Sequence, residues 1–242
     1  MIGLVLQTRI VIWFSNTKLF IQNLRKMPYP QAPWTLQGYA IVTGHLINID
    51  RVRHLIPSEL EIISVFPGKT VGGVYLSYYG SGSVLEYSEL IVIPAAVGYQ
   101  GKIGGWVSHI YVDNPDSVAG GREVWGLPKE LAEFTWERGE RVTVRQGNRI
   151  LCSLNYKQQT FAWQQWLGGS SFSAKDANLL NFSAELESRL GFIGSKLEVP
   201  TESPFSEIGL GQPLLTVRCE QMSLRVRAPE VVGQKAVEYT YQ

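Results

Sequence analysis

No β-prone run in this sequence travels far before glycine, proline or asparagine closes it. Gln37–Ile47, Leu60–Val65, Val71–Tyr79, Tyr87–Ile93 and Trp106–Val112 are rich in branched and aromatic residues, and Pro57, Pro67-Gly68, Gly80-Ser81-Gly82 and Pro94 punctuate them. Short runs of this kind, bounded by turn residues at regular spacing, read as strands of an antiparallel sandwich or barrel. Phe134–Arg138, Arg141–Arg145 and Arg149–Gln158 continue the pattern, with Gly139 and Gln146-Gly147-Asn148 as hairpin turns. Leu214–Val226 is a further strand. No repeat at solenoid periods is present.

Helical signals are few. Ile49–His54 reads as a short helix, capped by Asn48 or Asp50 and ended by Pro57. Ser117–Leu131 reads as a short helix or turn that runs into a loop. Asn178–Arg189 has some helical periodicity, and Trp163–Gly169 supports neither state. No linker divides the chain, so residues 27–242 are taken as one domain. Residues 1–26 are taken as an N-terminal extension outside the folded unit, with Met27 as an alternative start. Arg9 interrupts the apolar stretch that a signal peptide would need.

Composition narrows the function classes. A chain that is 45% hydrophobic and 18% charged has the apolar content to fold, which excludes disorder as its dominant state. Residues 1–26 hold Arg9, Lys18, Arg25 and Lys26 and no acid, which leaves 18 bases against 21 acids from residue 27 onward. A mildly acidic domain lacks the basic face that nucleic-acid binding needs. Cys152 and Cys219 read as buried small hydrophobes, and His45, His54 and His109 have no metal-ligand spacing. No apolar run reaches transmembrane length. The expectation is a cytoplasmic protein without metal or cofactor and without nucleic-acid or membrane partners. Its low charge content is read as a sign of homo-oligomerisation.

Familiar catalytic motifs are missing: there is no GxSxG elbow, P-loop or GxGxxG ahead of a helix. The pairs Gly72-Gly73, Gly104-Gly105, Gly120-Gly121 and Gly168-Gly169 read as places of close backbone approach. One segment stands out. Lys129 follows Pro128 inside an apolar stretch with Trp125 and Leu127. An amine removed from water loses the hydration of its ammonium form, and a neutral amine attacks ketones and aldehydes to give a Schiff base. The plain alternative is a surface lysine whose stem snorkels along apolar neighbours.

Tyr111-Val112-Asp113-Asn114, Gly121-Arg122-Glu123 and Pro128-Lys129 together resemble the acetoacetate decarboxylase family, in which the lysine after the proline forms the Schiff base. Asp50–Ile62 and Tyr87-Ser88-Glu89 resemble further segments of that family, and the likeness covers roughly residues 28–140. The resemblance implies an α+β fold, mainly antiparallel β, closed into a cone-like barrel. It also implies a homo-oligomer and a cofactor-independent lyase acting on a small β-keto acid such as acetoacetate. Lys129 would be the nucleophile, by a device already attributed to that family. Glu89 would be the acid/base that faces it, with Glu86 in reserve if the register slips.

Gln37 and Tyr87 are the substrate-binding candidates, and Arg122 with Glu123 is a candidate supporting ion pair. Tyr75, Tyr78 and Tyr87 are candidate cavity walls. Trp106 and His109 lie on opposite faces of one expected strand, so at most one of them faces a cavity.

Two departures from the family pattern bear on the reaction. Glu130 stands where the decarboxylases carry a second lysine. Gln37 and Gly38 stand where they carry an arginine that meets the substrate carboxylate. Two rival functions follow: a Schiff-base aldolase-dehydratase or hydratase, and a barrel that binds an apolar small molecule without chemistry. An enzyme requires Lys129 enclosed with Glu89 in reach, whereas a binder tolerates Lys129 at the surface.

Overall fold

Alternate burial along Trp34–Asn48 builds a 15-residue strand, β1, in the interior of the main sheet. The computed structural model describes residues 29–137 and 140–235. After β1 come β2 (Glu61–Ile62), β3 (Lys69–Tyr79), β4 (Tyr87–Ile93), β5 (Ala96–Tyr99), β6 (Lys102–Trp106), β7 (His109–Val112) and β8 (Lys129–Leu131). Then follow β9 (Glu133–Glu137), β10 (Arg141–Gln146), β11 (Arg149–Tyr156), β12 (Trp163–Lys175), β13 (Asn178–Phe192), β14 (Ser195–Glu198), β15 (Leu215–Val226) and β16 (Glu230–Gln234). The α-helices are α1 (Ile49–Val52) and α2 (Pro115–Trp125).

Twelve strands form one sheet in the order β2-β5-β6-β12-β13-β15-β1-β3-β4-β7-β8, with β16 on β13; β14-β11-β10-β9 form a second. Pairing is antiparallel except for β6 with β12 and β7 with β8. The two faces of the large sheet bury different clusters. Ile41, Val74, Leu76 and Leu90 pack with Val142, Val144 and Leu151 of the small sheet. Ala40, Tyr79 and Tyr87 pack with Trp34, Ile110 and Trp125. Neighbours such as Ala40 and Ile41 thus belong to opposite cores, as period-two alternation requires.

The mainly antiparallel architecture with few helices agrees with the sequence reading, but the barrel does not close. The end strands β2 and β8 are not paired with each other. Four local expectations also change. Trp106–Val112 is two strands, because the chain crosses at Val107-Ser108. There the Val107 N–H donates to the Phe172 carbonyl, whereas the Ser108 N–H donates to that of Val92. Asn178–Arg189 is strand: β13 pairs with both β12 and β15, and those two ladders override a weak helical period. Leu60–Val65 keeps only the two residues of β2. Trp163–Gly169 belongs to β12. The expected ends at Arg138 and Gly139, and the extension 1–26, lie outside the described residues.

Burial of His45 on β1 supports a pH prediction. The ring is 2% exposed, its Nε2 lies 2.9 Å from Thr43 Oγ1, and burial holds the imidazole below its usual range. Desolvation lowers His109 as well. A lowered folded value means that the unfolded chain takes up the proton first. The stability is therefore intact above the unfolded value near ~6.5 and lost as pH falls through it, by at most about 1.4 kcal/mol per pH unit for each histidine. Urea midpoints measured from pH 7.5 to 5.5 should fall, and His45→Gln should flatten that fall.

Candidate active site

Asn114 starts the site. Its side-chain oxygen accepts the N–H groups of Asp116 (2.9 Å) and Ser117 (3.2 Å), with Pro115 at the first helical position. This cap fixes α2 and puts Ser117 in its first turn, fully buried. The helix stops at Gly126, in the left-handed region at φ 60°, where the Gly126 and Leu127 N–H groups reach back to the carbonyls of Arg122 and Gly121 (3.1 Å each). A Cβ at Gly126 would also stand 2.6 Å from the Ala174 carbonyl oxygen. The chain reverses through Leu127-Pro128, and Lys129 enters β8 beside Ile110 of β7.

That reversal carries the Lys129 stem beneath the helix. A Cβ at Gly121 would lie 2.4 Å from Lys129 Cδ and 2.6 Å from Cε, so only glycine leaves the stem its path. A Cβ at Gly120 would come within 2.6 Å of the Trp34 ring. The Gly120-Gly121 pair therefore serves close approach, from within a helix. The Arg122 Nε–H holds the Lys129 carbonyl at 2.8 Å.

Glu89 comes from β4, paired with Val112 of β7 and Ser77 of β3. Lys129 reaches across β7 and donates to Glu89 Oε1 at 2.7 Å and to Ser117 Oγ at 2.9 Å. The two side chains of this pair are 3% and 6% exposed. Nζ also lies 5.0 Å from the centroid of the Tyr87 ring and 5.6 Å from that of Trp34. Trp34 is held by a hydrogen bond to the Pro30 carbonyl and an edge contact with Trp125 at 4.8 Å.

The second oxygen of Glu89 accepts from the Tyr79 hydroxyl at 3.1 Å, and the Tyr75 and Tyr79 hydroxyls are 3.0 Å apart. Desolvation pushes the phenols of Tyr75, Tyr79 and Tyr87 upward, and the charge of Glu89 adds to it. They therefore remain O–H groups at neutral pH.

These groups occupy one part of a cavity of about 250 Å³. Leu36, Val42, Ile91, Phe182, Leu224 and Val226 form much of the remaining wall. Among the described residues that line it, Lys129 and Glu89 are the charged ones.

The structure brings Lys129, Glu89, Tyr75 and Tyr87 together and moves other candidates away. Gln37 is exposed. It alternates with Leu36, which faces the cavity, so its side chain points to the opposite side, where its amide lies beside Gly82. Tyr78 is likewise outside, 39% exposed and tilted against Tyr39. Arg122 and Glu123 are not paired with each other: adjacent helical residues point apart, and Glu123 bonds Lys175 instead at 2.9 Å. Glu86 is exposed. Glu130 is exposed and accepts from Gln146 at 2.8 Å, so its carboxylate faces away from the cavity. Neither Trp106 nor His109 lines the cavity, and the break between β6 and β7 removes the alternation that linked them.

Ser117, Tyr79 and Trp34 are site residues that sequence reasoning missed. The Asn114-Pro115 cap was the available signal for Ser117. Alternation from Tyr75 was the signal for Tyr79 over Tyr78.

Residues 26–181 match the family model for acetoacetate decarboxylase (ADC). The chain is 30% identical over 113 residues to protein NEOXANTHIN-DEFICIENT 1 of Solanum lycopersicum, a stretch covering 47% of this chain and 38% of that protein. It is 32% identical over 123 residues to an acetoacetate decarboxylase of Burkholderia ambifaria, covering 50% and 47%. The matched stretch thus spans less than half the length of either relative. In fold, the chain superposes on the acetoacetate decarboxylase of Legionella pneumophila with a TM-score of 0.73 at 15% identity, over 86% of this chain and 90% of the other. It also superposes on the enduracididine biosynthesis enzyme MppR, with a TM-score of 0.62 at 11% identity, over 85% and 90%.

Proposed function

The chain belongs to the acetoacetate decarboxylase family, and from that premise we propose that it is a cofactor-independent lyase that removes the carboxylate of a β-keto acid through a Schiff base on Lys129. The observation that carries this reading is the enclosure of Lys129 with Glu89 at 2.7 Å in an otherwise apolar cavity. An inert barrel has no need of a buried amine opposite a carboxylate, since a buried ion pair adds little to stability over an apolar pair.

The chemistry follows from the contacts. Glu89 accepts a proton from Nζ, leaving a lone pair on the amine. Nζ attacks the keto carbon, and water leaves as the iminium forms. The bond between the α-carbon and the carboxylate breaks, carbon dioxide departs, and the electron pair moves into the enamine and neutralises the iminium nitrogen. Apolar walls raise the energy of the carboxylate relative to neutral carbon dioxide, which favours this step. The proton taken up by Glu89 has by then left with the carbinolamine hydroxyl as water, so the α-carbon takes its proton from water, the remaining hydroxide adds to the iminium, and collapse of that adduct releases the ketone and the free amine. Tyr79 and Ser117 hold Glu89 and Nζ in place throughout.

A second reading has one observation in its favour. Among the described residues no arginine lines the cavity, so the substrate carboxylate lacks a cationic clamp. An aldol or dehydration reaction on the same imine needs no such clamp.

Incubation with acetoacetate followed by borohydride should give a reduced adduct on Lys129, identified by mass spectrometry. Absence of an adduct with any of a panel of carbonyl compounds would sink the Schiff-base reading. Adduct formation without carbon dioxide release from any β-keto acid would favour aldol or dehydration chemistry.

A further inference from the structure

Resting on the Schiff-base reading, we infer that the substrate is a β-keto acid that carries a short apolar chain beyond the keto carbon, about seven carbons in all, rather than acetoacetate itself. Three observations lead there.

First, the cavity carries its charged groups, Lys129 and Glu89, at one end. Tyr87, Glu89, Ile91 and Ile93 of β4 all line it, because alternate residues share a face. At about 3.3 Å per residue, Ile93 stands roughly 13 Å along the strand from Glu89. The wall on that side continues through Val42 and Val107. A substrate whose keto carbon sits on Nζ therefore has apolar surface ahead of it for the length of a short alkyl chain.

Second, the volume exceeds what acetoacetate fills. An apolar cavity of about 150 Å³ holds one benzene, or about 25 Å³ for each of its six carbons. By that measure the cavity of about 250 Å³ holds about ten non-hydrogen atoms. Acetoacetate has seven. Three more carbons complete the filling and give 3-oxoheptanoate.

Third, the wall offers a substrate tail little polar recognition. Apart from the Lys129–Glu89–tyrosine cluster, Ser171 is the polar residue that lines the cavity. A polyhydroxylated or doubly charged chain would leave groups without partners in such a site, which is costly.

The test uses the full chain and a homologous series: 3-oxobutanoate, 3-oxohexanoate, 3-oxoheptanoate and 3-oxodecanoate. Burial of each methylene should raise kcat/KM for carbon dioxide release by about fourfold, hence about sixtyfold from the first to the third. The gain should stop at 3-oxodecanoate, which is longer than the cavity. A second arm needs no turnover. Acetone and 2-hexanone, the ketones left by the four- and seven-carbon acids, are trapped on Lys129 with borohydride over a range of concentrations. Half-maximal trapping should need about sixtyfold less 2-hexanone. Trapping and turnover that are flat or fall with chain length overturn this inference and leave Lys129 as the nucleophile. No adduct with any ketone or acid of the series overturns the Schiff-base reading, and this inference with it.

Discussion

Lys129→Ala should abolish the borohydride-trapped adduct, reduce turnover to the background rate and also weaken the fold. The three effects have one origin. Nζ is the nucleophile of the proposed reaction, so its removal leaves nothing to form the imine. The same nitrogen is the partner of Glu89 Oε1, and both side chains are almost wholly buried. Breaking a buried pair by deleting one member strands the other charge and costs about 3–5 kcal/mol. The Tyr79 hydroxyl, on the second oxygen, offsets only part of that. The double variant Lys129→Met with Glu89→Gln removes both charges at nearly constant volume. It should recover most of the lost stability while remaining inactive, because a buried pair replaced by neutral groups of similar size is often neutral in stability. Urea unfolding of the single and double variants, read beside trapping, separates the two roles. If Lys129→Ala is as stable as the parent, Lys129 and Glu89 are not coupled as the geometry states.

Much of the site was legible in the residues, for reasons the structure makes plain. Pro128-Lys129 and Gly121-Arg122-Glu123 keep a fixed spacing because one turn joins them. The helix must end at Gly126 for the chain to reverse and lay the Lys129 stem beneath Gly121. Glu89 was legible through the resemblance of Tyr87-Ser88-Glu89 to the family's segment, on a strand, β4, whose expected and observed limits coincide. Gln37 lies off the cavity because a shift of one residue in a strand moves a side chain to the other face. Leu36, one residue away, is the one that reaches the cavity. Arg122 and Glu123 failed on helical geometry, since i and i+1 diverge. The β13 segment was misread because its sheet partners, β12 and β15, are remote or uncertain in the sequence, and local periodicity carries no trace of them. Ser117 carried only the weak signal of the Asn114-Pro115 cap: a serine near a helix start is ordinary, and only the reversal at Gly126 brings to it an amine twelve residues on.

Gly121→Ala should cost about a hundredfold in turnover with a much smaller loss of stability than Lys129→Ala. A methyl group at Gly121 would sit 2.4 Å from Lys129 Cδ and 2.6 Å from Cε, well inside contact distance. The helix backbone is pinned by its Asn114 cap and by the Gly126 reversal, so the lysine stem has to yield. Nζ is anchored to Glu89 and Ser117 within 3 Å, and a stem displaced by about an ångström cannot keep both contacts. Misplacement of that size costs about a hundredfold in rate. Stability has an opposing gain, because alanine in place of a helical glycine contributes about 1 kcal/mol. Gly168→Ala is the matched control: nothing lies within 4 Å of a Cβ built there, and it lines no part of the cavity. Its turnover should equal that of the parent. The adduct on Lys129 should form in Gly121→Ala far more slowly but at the same residue. A full trapping rate in that variant would mean that the lysine reaches its substrate by a path that does not pass under the helix, and the role assigned to Gly121 would fall.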